Sequence, residues 1–336
     1  HGTEAASLMA DIPPVNQPKV LMLGWEFPPL INGGLGIACL GMGKALSAHV
    51  DLTFFLPKAD PDYSAGEVEL LGFNNVDAPA EAVRGGDAVF RKFASVETIP
   101  ANLLPYAEPA APRTITHEST TVEVTDAERD APPFGQEDLA IFQTDALYGE
   151  DVGEKVMRYA RVAAGLAEGR DFDIVHAHDW MTFPAGVEIK RRTGKPLVLH
   201  VHSLSYDRGG PDARGWVFDV ERAAMEEADL VIPVSRYTGT ICTGHYGIDQ
   251  EKVHFVHNGA EPVQAYRSKA PFPEKVVLFL GRLTGQKGPE FFLEIAAKVL
   301  EKDRDVRFVL AGTGERLRNL IETGAFRDVG DRLHFT

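Results

Sequence analysis

The chain has 336 residues, 44% hydrophobic and 25% charged, with 34 Lys and Arg against 49 Asp and Glu, a formal net charge of −15. That length corresponds to about two domains, and the composition is that of a globular protein with a sizeable core. The acidic balance excludes a dedicated nucleic-acid or anionic-membrane binder, which needs clustered cations, but leaves room for one local basic pocket. No apolar run approaches the ~18 residues of a membrane span. The two cysteines, Cys39 and Cys242, fall in segments that read as helices, and neither has a second Cys or His at metal-ligand spacing. Neither a disulfide framework nor a metal site is expected, and a reducing cytoplasm fits.

Residues 1–18, starting at His1, carry no signal-peptide pattern and read as a tail or tag remnant. Lys19–Gly24 is a short apolar run ending in glycine, the pattern of a buried parallel strand. A loop rich in Pro, Asn and Gly follows, and Leu35, Cys39, Met42 and Leu46 then fall at helical spacing. Val50–Leu56 is a second strand. Residues 57–135 lose this periodicity and read as an insertion, with strand-like pieces at Ala88–Phe93 and Thr120–Val124.

Regular alternation resumes at Gln136. A helix is predicted over Glu137–Glu168, with breaks near Gly149 and Gly153. Strands are predicted at Asp173–Ala177, Pro196–Val201, Leu230–Val234 and Lys252–Val256. Helices at Thr182–Thr193, Arg214–Ala228 and Arg236–Tyr246 separate them. Such alternation means a doubly wound parallel sheet with helices on both faces, here the first domain, residues 19–260. Residues 261–274, with three prolines between Pro262 and Pro273, have the composition of a linker. A fresh α/β pattern then occupies 275–336: strands at Val276–Leu280, Val306–Leu310 and Leu333–Thr336, helices from Pro289 and over Glu315–Thr323. About 60 residues are few for such a domain, so the chain is expected to be part of a longer protein and inactive alone.

Three motifs sit at strand-to-helix turns. Gly33-Gly34-Leu35-Gly36 lets backbone approach a ligand, and the helix start that follows attracts phosphate. The spacing is not G-x-G-x-x-G, and no acidic residue ends the second strand, which disfavours a dinucleotide dehydrogenase. His176-Ala177-His178-Asp179-Trp180 lies at the C-terminal end of a strand, where ligands bind in open α/β sheets. Alternation puts His176 and His178 on one side; Asp179 is either a helix N-cap or a ligand group. No G-x-S-x-G elbow supports a triad hydrolase. In Gly281-Arg282-Leu283-Thr284-Gly285-Gln286-Lys287-Gly288, two cations across a glycine turn can converge on one anion, a diphosphate being the natural guest. Smaller features at other strand ends are His200, His202, Ser203, Ser235 and Asn258, each a cap, a turn or a contact.

In this order the segments KVLMLGWEFPPLINGGLG, FDIVHAHDWMTFPAG, LVLHVHSLSYDRGG, ADLVIPVSRYT, VHFVHNGAEP and VVLFLGRLTGQKGPEFFLEIA resemble the retaining GT-B glycosyltransferases. That broad group includes glycogen and starch synthases and sucrose-phosphate-synthase-like enzymes, and the opening segment looks nearest to the glycogen-synthase-like members. The resemblance implies two Rossmann-like domains facing a cleft, the second incomplete here. It implies transfer of a hexose, glucose first, from ADP-glucose or UDP-glucose to a saccharide such as an α-glucan, with no other cofactor. Arg282 and Lys287 would neutralise the departing diphosphate, an electrostatic form of catalysis that needs no metal. His178 would contact the transferred hexose, and Gly33 and Gly34 would close over the donor. Asp179, His202, Ser203, Ser235 and Asn258 would line the substrate edge. The sequence departs from the family in having Ile31-Asn32 where ADP-glucose enzymes carry a lysine, and the family's glutamate motif would lie past Thr336. Two other readings stay open: a nucleotide-sugar 2-epimerase on the same fold and a non-catalytic carbohydrate-binding protein.

Overall fold

A computed structural model describes residues 17–31, 33–77, 134–144, 147–149, 151–260, 272–326 and 329–336. The strand-like pieces at 88–93 and 120–124, most of the tail and most of the linker lie outside the described residues. The described residues fall into two compact units, 17–204 with 214–260, and 205–213 with 272–336.

The first unit is built on a six-stranded sheet. Its strands are β1 (Lys19–Leu23), β2 (Asp51–Leu56), β3 (Glu69–Gly72), β4 (Ile174–His178), β5 (Leu197–Val201) and β6 (Leu230–Pro233). The order is β3-β2-β1-β4-β5-β6, and every neighbouring pair is parallel. The chain order reverses between β1 and β4, the switch point at which open sheets bind ligands beyond their carboxyl ends. On one face, Val20 and Met22 of β1 and Leu52, Phe54 and Leu56 of β2 pack with Cys39 of α1 (Gly34–Leu46). The amphipathic helices α3 (Val152–Glu168) and α4 (Phe183–Thr193) pack against each other, and Tyr159 of α3 donates its hydroxyl hydrogen to the Phe55 carbonyl at 3.0 Å.

Four expectations change here. The helix predicted over 137–168 is α2 (Gln136–Ala140) and α3, with a 3-10 turn at Ile141–Gln143 between them. The break falls at Gly149, whose φ is +147°, whereas Gly153 sits inside α3. Strand β3 went unread because Glu69-Leu70-Leu71-Gly72 has no distinctive period. Pairing with β2 makes it a strand, with Thr53 donating to Glu69 at 2.8 Å across the pair. Lys252–Val256 is not a strand: Val253 forms one isolated parallel bridge to Val231 beside β6. The last two helices are α6 (Trp216–Glu227) and α7 (Arg236–Gly244).

The second unit has three parallel strands in the order β7 (Lys275–Leu280), β8 (Val306–Ala311), β9 (Leu333–Phe335). Its other helices are α8 (Pro289–Leu300) and α9 (Leu317–Phe326), and the short helix α5 (Ser205–Gly209) also falls in it. Leu283, Leu293, Leu310 and Leu320 form one core cluster, and Ala296, Leu300, Val306 and Phe308 part of another. No helix among the described residues is long and apolar enough to cross a membrane.

Candidate functional site

In the first unit the site grows from the register of β4 and β5. His178 lies opposite His200, and alternation puts His176 on the same face. His202 follows one residue past β5. The result is a stack of four imidazoles: His178 to His200 at 5.1 Å between centroids, His200 to His202 at 4.5 Å and His176 to His178 at 4.6 Å. His178 also stacks on Phe54. His176 Nε2 lies 3.3 Å from His200 Nδ1, and His178 Nδ1 lies 3.0 Å from His202 Nε2. His178 is fully buried, at 0% exposure, so solvent reaches it only when a neighbour moves.

Burial removes water from the charged form of each ring, and the rings repel each other's protons. His176 and His200 are pushed down to about 3, His202 to about 4 and His178 well below its ordinary value. All four are therefore neutral at neutral pH, each with one donor and one acceptor nitrogen. Cys39 of α1 lies beside His178 and His202, and burial, with Asp179 and Glu26 adding, raises its thiol far above the ordinary range. Glu26, from the loop after β1, is buried and accepts from the Tyr148 hydroxyl.

Asp179 resolves into a different role from those expected. Its carboxylate does not cap α4; Oδ1 accepts the backbone N–H of His202 at 2.7 Å and of Ser203 at 3.3 Å. It ties the end of β4 to the loop after β5, at a φ of +60°. Asp179→Ala is expected to cost about 2–3 kcal/mol, from buried donors left unpaired and a left-handed backbone that Asp tolerates better than Ala. Asp179→Asn keeps an acceptor and tolerates that backbone, so it should cost less than half as much in urea unfolding. Equal losses would show that the negative charge, not the two acceptor bonds, is what matters.

Ser235 is a cap: its Oγ accepts from Thr238 N at 3.0 Å and is 2.8 Å from Thr238 Oγ1. That oxygen is engaged in starting α7, the cap among the three roles the sequence left open. Asn258 is exposed in the irregular stretch after Val253. The glycines after β1 separate cleanly. A Cβ on Gly36 would meet Ile31 Cγ2 at 2.5 Å, so Gly36 serves packing, whereas a Cβ on Gly33 or Gly34 would meet nothing within 4 Å. Gly33, the N-cap of α1, is extended at φ −166°, a conformation open to any residue.

In the second unit, Gly281–Gly288 forms a turn between β7 and α8. Gly288 is left-handed at φ +62° and caps α8 without a side chain. Lys287 is exposed and Arg282 half-buried. The turn is laced to the one after β8: Gly281 N donates to Ala311 O, Leu283 N to Thr313 O, and Arg316 N to Leu283 O. Arg316 escaped the sequence reading. It pairs with Glu290 in the first turn of α8 at 3.2 Å and sits against Gly285, placing a third cation beside the turn. Its signal was the Gly312-Thr313-Gly314 turn shortly before it.

Comparison with known proteins adds the following. Residues 117–264 match Glycosyltransferase Family 4, and residues 263–336 match Glycosyl transferases group 1. An uncharacterized glycosyltransferase of Methanocaldococcus jannaschii, MJ1607, is 25% identical over 90% of this chain and 65% of its own length. D-inositol 3-phosphate glycosyltransferase 1 of Catenulispora acidiphila is 31% identical over 43% of this chain and 38% of its own. The chain thus spans less than two thirds of either relative. Anabaena HepE, solved in complex with UDP and glucose, superposes with a TM-score of 0.54 at 16% identity, over 95% of this chain and 68% of that one. The fold is GT-B.

Proposed function

We infer that this chain, which carries the two consecutive domain types of a GT-B glycosyltransferase, serves the transfer of a hexose from a nucleoside diphosphate sugar to a saccharide hydroxyl. The observation that carries this reading is the Gly281–Gly288 turn, where Arg282 and Lys287 precede a helix start that no side chain caps. Cations and helix N–H groups together make a diphosphate seat. In the reaction the bond from the sugar C1 to the β-phosphate oxygen breaks and a bond from C1 to the acceptor oxygen forms. The acceptor proton passes to a donor phosphate oxygen, the configuration at C1 is retained, and the nucleoside diphosphate leaves with its charge neutralised by the two cations. His178 would face the hexose at the end of β4.

Glucose is the proposed sugar, with UDP-glucose or ADP-glucose as donor and an α-glucan as acceptor. HepE, with UDP and glucose bound, supports the donor class. The inositol-phosphate relative makes a phosphorylated acceptor the competing reading. The test is a screen of the full-length protein with UDP-glucose, ADP-glucose and GDP-mannose, against glucan and inositol-phosphate acceptors. Product anomers would be read by NMR. Glucan binding without turnover of any donor would favour a carbohydrate-binding protein, and conversion of UDP-GlcNAc to its 2-epimer would favour an epimerase. An inverted product would overturn retention.

Because Gly33 is demanded neither by packing nor by φ, its small size is assigned to the ligand side. Gly33→Ser keeps a good N-cap, so stability should stay within about 0.5 kcal/mol. The donor KM should rise about tenfold. An unchanged KM would remove Gly33 from the donor site.

A further inference from the structure

The buried histidine stack of the first unit exceeds what the transfer reading uses. Only His178 is assigned to the sugar there; His176 and His200 have no part in it. One nitrogen from each of His176, His178 and His200 lies within 4.8 Å of the others, and all three residues are buried. His176 Nε2 and His200 Nδ1 are 3.3 Å apart. Two nitrogens bound to one tetrahedral zinc lie about 3.3 Å apart, given Zn–N bonds of about 2.0–2.1 Å. A second observation points the same way. His178 Nε2, the nitrogen left over once Nδ1 is spoken for by His202, is buried and has no hydrogen-bond partner among the described residues. Buried polar atoms are almost always partnered, and an ion in the plane of the His178 ring would partner this one.

We propose that His176, His178 and His200 form a binding site for one divalent first-row ion of the zinc, cobalt or nickel kind. Imidazole nitrogen suits these ions, and three protein ligands leave one position open. An imidazole coordinates through one nitrogen and keeps its hydrogen on the other, the one facing away from the ion. His202 supplies the outer partner of His178, accepting from Nδ1 at 3.0 Å and fixing which nitrogen is free. It is half-buried. Cys39 forms a competing group with His178 and His202, but there His202 Nε2 and His178 Nδ1 already face each other at 3.0 Å. The all-nitrogen set is therefore assigned. The site stands on the chain's own geometry, independent of the transfer reading. If both are right, ion and hexose exclude each other at His178.

The test is titration of metal-free, full-length protein with Zn2+ and Co2+, with bound metal counted after equilibrium dialysis. About one tight equivalent per chain is expected, with Co2+ giving the visible bands of a four-coordinate nitrogen site. The double variant His176→Gln, His200→Gln should weaken that equivalent at least about 100-fold, since even outer-shell changes cost 10–100-fold. Cys39→Ser should retain it. Histidine 15N spectra of the unaltered protein test the same point without a variant: Zn2+ should shift the buried ring signals. Binding no tighter than in the double variant, with buried ring signals unmoved, overturns the proposal. So does a sulfur-to-cobalt charge-transfer band lost in Cys39→Ser.

Discussion

Arg282→Ala and Lys287→Ala, each made in the full-length protein, are expected to lower kcat for hexose transfer by about 10²–10³-fold, about 2.7–4 kcal/mol of transition-state stabilisation. Negative charge grows on the bridging oxygen as the bond from C1 to phosphate breaks. Cations held at that point stabilise the transition state more than the bound donor. The effect should therefore fall mainly on kcat, with a smaller rise in the donor KM. Lys287 is exposed and makes no ion pair among the described residues, so removing it should leave stability within about 0.5 kcal/mol. Arg282→Lys should recover only part of the rate, because an ammonium does not reproduce the guanidinium fork. Near-normal turnover in both alanine variants would end the assignment of the diphosphate to this turn.

Gly312→Ala is expected to disrupt the second unit by about 3 kcal/mol or more, combining a clash with a backbone conformation closed to alanine. Gly312 has φ +145°, and a Cβ there would fall 2.0 Å from the Gly281 carbonyl oxygen. Gly314, at φ +159°, would place one 2.4 Å from the Leu283 oxygen. Both contacts are with backbone that cannot rotate away, and that backbone carries Arg282. The damage should appear as faster amide exchange over 275–283 and 306–316, together with loss of nucleotide binding. Normal exchange in Gly312→Ala would show that the two turns are not held together as the geometry indicates.

Much of this was legible in the residues themselves. Short apolar runs alternating with helical periods signalled parallel strands in both halves. Glycine after β1 and β7 marked the turns, and the continuous apolar run of β1 matches a strand buried on both faces, whereas the apolar run of β7 is largely exposed. The order of the motifs pointed to GT-B, the fold observed. His178 and the Arg282–Lys287 turn were found as candidates because strand ends are where such sheets bind ligands.

Other features exist only once the chain is folded. Glu69–Gly72 becomes a strand through its pairing with β2, and Lys252–Val256 falls short of one because it runs beside Pro233, which has no N–H to return: among the described residues only His254 N to Val231 O and Val256 N to Pro233 O join it to β6. In sequence, Asp179 and Ser235 could each be a cap or a ligand group. Their oxygens are in fact engaged, one by the N–H groups of His202 and Ser203 and the other by Thr238, partners that folding brings to them. The histidine stack is the clearest case. His176 and His178 are separated from His200 and His202 by a helix, so no linear spacing announces a metal-type cluster. Parallel registration of β4 against β5 sets His178 opposite His200, and the two-residue period of each strand turns their partners to the same buried face. The sequence by itself determined which polar residues and glycines stand at each strand end. Only the tertiary structure decided which are engaged in holding the fold and which stand together with nitrogens to spare, because register and burial belong to the sheet and not to any one segment.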